Sequence, residues 1–245
     1  MLKYLLFDLD GTLTDSGEGI RNAVKYAVMD ILHYEETDIK KLNKFIGPPL
    51  NIGFSEQYGM NEEDISRGIT KFREYYNDKG IYENTPYEGI SDTLDDLKKS
   101  GYVLAVASSK PQVMVYRVLE RFDLKRYFDV IVGCELDGRR SDKKEVVEEA
   151  IRQLENLEND ISKDGDDLRE PIRSDITKSA AMIGDRCYDI EGAIEHKLMP
   201  IGVSYGYGSY EELMESGASI IASSAAELEK ILLDMAQHSK CVNFE

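Results

Sequence analysis

Two acidic residues near the start of the chain have a spacing that suits a divalent metal. Asp8 and Asp10 lie two positions apart, directly after an apolar run and before Gly11. Carboxylates this close repel each other unless a cation joins them or one of them binds a proton. Mg²⁺ suits such a pair, because it takes few carboxylates and keeps several waters. The structural alternative is a turn, since Asp-Gly is also a common turn signal.

Three further apolar runs are followed by polar residues that could bind a metal or a phosphate. Asp185 and Asp189 lie one helical turn apart if a helix begins there, although Asp185 could simply cap that helix. Ser108 ends another run, where a hydroxyl before a helix N-terminus either binds a phosphate oxygen or caps the helix. Lys143 follows a further run, and a lone lysine there is ordinarily a solvated surface residue. All of these residues come at or after the end of an apolar run.

The apolar runs alternate with helical patterns, which predicts an α/β fold with a parallel sheet. The predicted strands are residues 2–7, 102–108, 128–132, 180–183, 199–203 and, more weakly, 219–222. No convincing strand occurs between residues 16 and 82, where helical stripes prevail. We therefore predict a Rossmann-like core with helices on both faces of its sheet, from residues 1–15 and 86–245. Residues 16–85 are predicted to form an inserted, all-helical cap domain.

The joint pattern resembles the haloacid dehalogenase superfamily of phosphohydrolases over nearly the whole chain. The superfamily's four motifs match, in order, Asp8-Leu9-Asp10-Gly11-Thr12-Leu13, Ser108, Lys143, and Gly184-Asp185 with Asp189. The helical insert lies where that superfamily carries a small helical cap. Residues 45–50 and 202–208 are similar to the phosphoglycolate phosphatase-like branch. Ser-Ser-Lys at residues 108–110 replaces the more usual Thr-Asn-Lys, which is a chemically mild change.

The resemblance implies a Mg²⁺-dependent phosphatase that acts through an aspartyl-phosphate. Asp8 would be the nucleophile. Asp10 would protonate the leaving group and then activate water. The protein ligands of Mg²⁺ would be Asp8, the main-chain carbonyl of Asp10, and Asp185. The implied substrate is a small phosphomonoester such as phosphoglycolate, a sugar phosphate or a nucleoside monophosphate.

The remaining site residues are also assigned by the resemblance. Ser108 and Lys143 would hold the phosphoryl oxygens, and Asp189 would orient Lys143. Residues 47–50 are a candidate for facing the leaving group, because two prolines stiffen the segment and a glycine allows close approach. The alternative is that this segment only connects two helices. The predicted substrate-binding residues are Gly11, Thr12, Gly47, Pro48, Pro49, Ser108, Ser109 and Lys143.

Composition excludes several other classes of function. The 30 basic and 47 acidic residues give a formal charge of −17, which argues against nucleic acid and anionic membrane partners. The longest apolar run is six residues, far short of a membrane span. The three cysteines are widely spaced, which fits a reducing compartment. We therefore expect a cytoplasmic monomer or homodimer that acts on a small phosphorylated metabolite.

Other functions compatible with these motifs differ in what they require of the two acids. A haloacid dehalogenase proper needs no acid at the second position, so Asp10 argues against it. A phosphosugar mutase uses the same residues, and the sequence discriminates poorly between mutase and phosphatase. A non-enzymatic phospho-ligand binding protein would be expected to lack Asp8 or Asp10. The acidic segment 158–178 is predicted to be an exposed excursion, and no function follows from it.

Overall fold

The computed structural model describes residues 2–163 and 175–241. The strands are β1 (Tyr4–Phe7), β2 (Thr14–Asp15), β3 (Thr85–Pro86), β4 (Val103–Pro111), β5 (Val130–Cys134), β6 (Ala180–Gly184), β7 (Met199–Val203) and β8 (Ile220–Ala222). The helices are α1 (Gly17–Leu32), α2 (Ile39–Asn43), α3 (Leu50–Tyr58), α4 (Glu62–Asp78), α5 (Ile90–Lys99), α6 (Gln112–Arg121), α7 (Lys143–Lys163), α8 (Cys187–Glu195), α9 (Tyr210–Glu215) and α10 (Ala225–Cys241). Short 3₁₀ turns lie at Gly80–Tyr82, Lys125–Tyr127 and Ile176–Ser179.

Six parallel strands form the large sheet, in the order β5-β4-β1-β6-β7-β8. The chain therefore starts at the centre of the sheet, builds outward to β4 and β5, and then returns to the other side of β1. This reversal leaves a crevice at the carboxyl end of β1, which is the usual ligand site of such sheets. The motifs at the carboxyl ends of β1, β4 and β6 meet at that crevice.

Both faces of the sheet are covered by helices, as the unbroken apolar runs predicted. In β1, Leu5 and Phe7 pack into one core together with residues of α5, α6 and α10. Tyr4 and Leu6 point the other way, into a second core that contains residues of α7 and α8. Successive strand residues alternate between faces, so a strand that is covered twice must be apolar throughout. The predicted fold class is confirmed.

Helices α1–α4 form the insert between β1 and β4. The helical stripe that the sequence predicts at residues 20–32 lies in α1. Ile20 is 5% exposed, Ala23, Val24, Ala27 and Val28 are fully buried, and Ile31 and Leu32 are partly buried. The chain enters and leaves the insert through β2 and β3. These two strands pair antiparallel, with Thr14 opposite Pro86 and Asp15 opposite Thr85. The two connections to the sheet are therefore joined to each other as a short ribbon.

The structure moves some predicted boundaries. The strand predicted at residues 128–132 begins at Val130, because a 3₁₀ turn occupies Lys125–Tyr127. The predicted excursion at 158–178 begins later than expected, since α7 continues to Lys163 and Glu158 pairs with Lys3. Residues 164–174 of that segment lie outside the described part of the chain. None of the helices that the structure describes combines the length and apolarity needed to cross a membrane.

Candidate active site

The structure brings the strand-end residues together at the carboxyl edge of the sheet. Asp8 and Asp10 follow β1, Ser108 lies within the extended end of β4, Lys143 opens α7, and Asp185 follows β6. None of these side chains is a surface group. The acids, the lysine and the serine of the four motifs are each at most 8% exposed: Asp8, Asp10, Ser108, Lys143, Asp185 and Asp189.

Lys143 lies between two carboxylates beneath the crevice. Its Nζ is 2.8 Å from Asp8 Oδ1 and 2.8 Å from Asp189 Oδ1, and it donates to the Ala107 carbonyl at 3.0 Å. Burial alone would lower the pKa of Lys143, but the Asp189 and Asp8 carboxylates outweigh it and raise that pKa above its ordinary value. The lysine is therefore charged, and it orients the Asp8 carboxylate.

Three carboxylates converge beside this lysine. Asp8, Asp185 and Asp189 each offer an oxygen, and these oxygens lie within 4.8 Å of one another. Burial is the largest cause that raises the pKa of Asp8 to about 6. Burial, followed by the charges of Asp189 and Asp8, also raises the pKa of Asp185 well above its usual value.

This cluster fits a hard divalent cation. Carboxylate oxygens are the ligands that Mg²⁺ prefers, and a bound cation would offset both the burial and the mutual repulsion that raise these pKa values. Two of the predicted metal ligands, Asp8 and Asp185, belong to the cluster, and Asp189 joins them. The side chain of Asp10 is turned to another partner, and the binding of the cation by its main-chain carbonyl stays a prediction.

That partner is Lys110, a residue to which the sequence reading assigned no role. Lys110 Nζ lies 2.5 Å from Asp10 Oδ2 and 4.7 Å from the ring centroid of Tyr76 in α4. Asp10 Oδ1 is buried and has no hydrogen-bond partner among the described residues. The available signal for Lys110 was its place two residues after Ser108. Tyr76 comes from the insert, where its helical spacing predicts a place in a helix but no contact with the site.

Asp185 is supported by two loops that approach it closely. Its Oδ2 accepts from the Tyr207 amide at 2.8 Å, and Thr12 Oγ1 lies 3.4 Å from its Oδ1. Gly11 has a φ of +87°, and a Cβ there would lie 2.2 Å from Asp185 Oδ2, so only glycine fits. A Cβ at Gly208 would similarly lie 2.0 Å from the Asp185 carbonyl. The structure thus places Gly11 and Thr12 against Asp185, although they were predicted to bind substrate.

The capping alternatives for Asp185 and Ser108 do not match this geometry. Asp185 is not the N-cap of α8, which is Arg186. Asp189 does help that helix start, since its Oδ2 accepts from the Arg186 amide at 3.0 Å. Ser108 is not the N-cap of α6, which is Pro111. Its Oγ instead accepts from the Lys110 amide at 3.3 Å.

A cavity of about 460 Å³ lies between the sheet edge and the insert. The sheet side contributes Asp8, Asp10, Ser108, Ser109, Lys110, Pro111, Met114 and residues of the segment 134–141. The insert contributes Ile20, Phe45, Gly47, Pro48, Pro49, Leu50, Asn51 and one face of α4, namely Ser66, Ile69, Thr70, Phe72, Arg73, Tyr76 and Asn77. The loop at 47–50 therefore connects α2 to α3 and also lines the cavity. Lys143, Asp185 and Asp189 lie beneath the cavity and not in its wall.

Arginines join the insert to the sheet side around this cavity. Arg186, next to Asp185, donates to the Ile46 carbonyl and pairs with Glu212 at 2.9 Å. Arg73 of α4 donates to the Leu136 carbonyl at 3.2 Å. These contacts hold the insert over the carboxylates, so the site is covered from above as well as supported from below.

Comparison with known proteins gives a consistent family. The family model described as haloacid dehalogenase-like hydrolase matches residues 5–203. A 5'-nucleotidase of Pseudomonas aeruginosa is 37% identical over 94% of this chain and 96% of its own length. The tyrosine-protein kinase PtkA of Mycobacterium tuberculosis is 31% identical over 91% of this chain and 69% of its own length. A phosphoglycolate phosphatase of Aliivibrio fischeri is 26% identical over 94% of this chain and 96% of its own length.

Solved structures agree with these relatives. The crystal structure of a predicted phosphatase from Clostridium acetobutylicum superposes with a TM-score of 0.83 at 44% sequence identity. That match covers 96% of this chain and 99% of the other. The resemblance inferred from the sequence motifs is confirmed.

Proposed function

Because this chain belongs to the haloacid dehalogenase-like hydrolase family, we propose that it is a Mg²⁺-dependent phosphatase of small phosphomonoesters. One observation carries the proposal. Asp8 lies at the base of a cavity, is oriented by the buried Lys143, and adjoins the carboxylates of Asp185 and Asp189. A nucleophile, a charged group for the phosphoryl oxygens and a divalent-cation site thus occur together.

In the first step, Asp8 attacks the phosphorus of the ester. Lys143 holds Asp8 Oδ1, so we assign the attack to Oδ2. The new Asp8–phosphorus bond forms as the bond to the ester oxygen breaks, and Asp10 gives its proton to the departing alkoxide. Water then attacks the phosphorus of the aspartyl-phosphate while Asp10 takes a proton from the water. The Asp8 Oδ2–phosphorus bond breaks, which regenerates the Asp8 carboxylate and releases inorganic phosphate.

The other motif residues hold the reacting groups. Ser108 and Lys143 bind phosphoryl oxygens, where charge spreads in the transition state. Asp189 positions Lys143 through the 2.8 Å ion pair. Asp8, the main-chain carbonyl of Asp10 and Asp185 would hold Mg²⁺, with Asp189 adjacent. When bound, this cation neutralises charge, which lets an anionic carboxylate approach an anionic phosphate.

We assign residues 16–85 as a cap domain that opens and closes over the site. The ribbon of β2 and β3 is short, and it carries both chain connections between the insert and the sheet side. On opening, the contacts of Arg73 and Arg186 across the cavity would part. Closure of such a lid excludes water from a reactive intermediate and selects small leaving groups. Residues 47–50 would face the leaving group, which accords with their place in the cavity wall.

Among the small phosphomonoesters, a nucleoside monophosphate suits the cavity best. A volume of about 460 Å³ exceeds what a two-carbon acid fills, and pockets of this size hold larger metabolites. Phe45, Phe72 and Tyr76 supply aromatic surface for a base. The similarity to a 5'-nucleotidase points the same way.

A panel of phosphomonoesters assayed with Mg²⁺ tests this function. It should include nucleoside monophosphates, sugar phosphates and phosphoglycolate, with released phosphate as the readout. The Asp8→Asn protein, prepared in parallel, controls for contaminating phosphatases. Phosphate release by the wild type alone, without an activating sugar bisphosphate, would support hydrolysis over the mutase alternative. Release from none of the esters, or transfer only to a second sugar, would refute the proposal.

A further inference from the structure

The ion pair between Lys110 and Asp10 has no part in the steps described above. The side chains of Lys110 and Asp10 are 7% and 10% exposed, and their charged atoms are 2.5 Å apart. Burying two charges is costly, because both lose their water. A pair placed at this cost beside the reacting groups suggests a function in the reaction.

Contacts on several sides hold Lys110 in place. Its main chain lies near the end of β4, where its amide donates to Ser108 Oγ at 3.3 Å. Its Nζ lies over the ring of Tyr76, 4.7 Å from the centroid, which is within the range of a cation–π contact. Burial alone would lower the pKa of Lys110, but Asp10 and Tyr76 raise it, so the side chain stays charged. Lys110 is therefore a fixed cation between the sheet and α4.

The consequence for Asp10 is that its two oxygens become unequal. Oδ2 accepts from Lys110, whereas Oδ1 has no hydrogen-bond partner among the residues that the structure describes. A group that transfers protons must hold its reacting atom within hydrogen-bond reach of the leaving group. We propose that Lys110 is a positioning residue, which anchors Asp10 Oδ2 so that Oδ1 exchanges the proton with the leaving alkoxide. This inference depends on the phosphatase reaction proposed above.

The proposal predicts a dependence on the leaving group. Proton transfer matters most for a basic alkoxide and least for p-nitrophenolate, which departs without much help. A residue that acts by aligning Asp10 should therefore matter for alkyl esters and hardly at all for p-nitrophenyl phosphate. A residue that only supports the fold, or only binds the phosphoryl group, should affect every ester alike.

The test is kcat/KM of Lys110→Met with Mg²⁺ for p-nitrophenyl phosphate, phenyl phosphate and the best alkyl ester. This ratio reports the step in which the leaving group departs. General acid catalysis contributes roughly 10²–10⁴-fold, so the alkyl ester should lose on the order of 100-fold. The loss for p-nitrophenyl phosphate should stay below about tenfold, with phenyl phosphate between. Equal losses for all three esters would overturn the proposal.

A double-mutant cycle shows whether Lys110 acts through Asp10 or independently of it. If Lys110 acts through Asp10, then Lys110→Met combined with Asp10→Asn should be no slower than Asp10→Asn alone. Multiplicative losses would contradict this coupling. Lys98→Met is a matched control, because it removes a lysine from a partly exposed ion pair with Asp129 at 2.7 Å, and it should match the wild type.

A second variant keeps the test decisive if Lys110→Met does not fold, as judged by circular dichroism. Lys110→Arg keeps the charge but moves the donor atoms, so its losses should again grow with the basicity of the leaving group. Uniform losses in this variant would also refute the positioning role. If the wild type hydrolyses none of the esters, the proposed function itself fails, which is a distinguishable result.

Discussion

Replacing Asp8 by asparagine should abolish turnover and, at the same time, stabilise the metal-free protein at neutral pH. Asp8 is 3% exposed, and its burial is the main reason that its pKa is raised from 3.8 to about 6. A carboxyl group whose pKa is higher in the folded state binds its proton more tightly there. Its ionisation therefore destabilises the fold once the pH exceeds both the unfolded and the folded values.

The size of the effect follows from this shift. At about 1.4 kcal/mol per unit, a pKa near 6 corresponds to roughly 3 kcal/mol at neutral pH. Asparagine has the same shape and no charge, and its amide oxygen can still accept from Lys143. The free energy of unfolding of Asp8→Asn should therefore exceed that of the wild type by about 2–3 kcal/mol at pH 7.5. For a protein of this size that is roughly 4–12 °C in Tm.

The dependence on pH gives the assay its discriminating power. Unfolding of both proteins should be followed in EDTA at pH 7.5, 6 and 4.5. The advantage of the variant should shrink as the pH falls below 6 and be lost only below the unfolded pKa of 3.8, where Asp8 is protonated in both states. Adding Mg²⁺ should stabilise the wild type by mass action and the variant less, since the variant has lost a carboxylate ligand.

Substitution of an exposed aspartate is the control for this stability measurement. Asp95→Asn changes an exposed carboxylate that pairs with Lys99 at 2.6 Å, and it should stay within about 0.5 kcal/mol of the wild type. The burial argument would be refuted if Asp8→Asn and the wild type were equally stable at pH 7.5. It would also be refuted if the gain in the free energy of unfolding did not depend on pH. Retention of even a tenth of the wild-type kcat would refute the nucleophile assignment.

Three further predictions concern the acid, the metal and the cap. Asp10→Asn should lower kcat/KM for alkyl esters by roughly 10²–10⁴, because the leaving group loses its proton donor; a loss below tenfold would count against that role. EDTA should abolish activity and Mg²⁺ should restore it, while Ca²⁺ should fail because it draws in more oxygen ligands; full activity in EDTA would contradict a metal enzyme. Leu50→Ala should change kcat/KM to different extents for different esters and leave Mg²⁺ activation alone, whereas a uniform change would make the 47–50 loop merely structural.

Much of the fold was predictable because apolar runs and helical spacing are local features of the sequence. The strand at residues 199–203 was predicted with the boundaries that the structure gives to β7. The apolar stripe of α1 was predicted from spacing alone. Where a boundary moved, as at β5, a short turn intervened that no run of apolar residues could indicate. Local sequence therefore predicted the elements well and their ends less well.

The partners of the site residues were less predictable, because they are distant in the chain. Asp10 is 100 positions from Lys110, and nothing in either segment indicates that they pair. The close approach of Gly208 to Asp185 could likewise not be predicted, although residues 202–208 form one of the motifs that carry the family resemblance. No sequence pattern assigns a role to Arg186, yet it joins the sheet side to the insert by donating to the Ile46 carbonyl.

By itself, the sequence determined which side chains could do chemistry and that they follow buried strands. Parallel strands bring their carboxyl ends to one edge, so the order Asp-x-Asp, Ser, Lys, Asp-x-x-x-Asp was enough to predict that these groups meet. Only the tertiary structure decided which oxygen each lysine binds, how deeply Asp8 is buried, and which insert residues face the cavity. These properties depend on distances between segments far apart in the chain, and charge and solvation change steeply with distance. Residue type and spacing predict the components of the site, whereas packing sets their partners and pKa values.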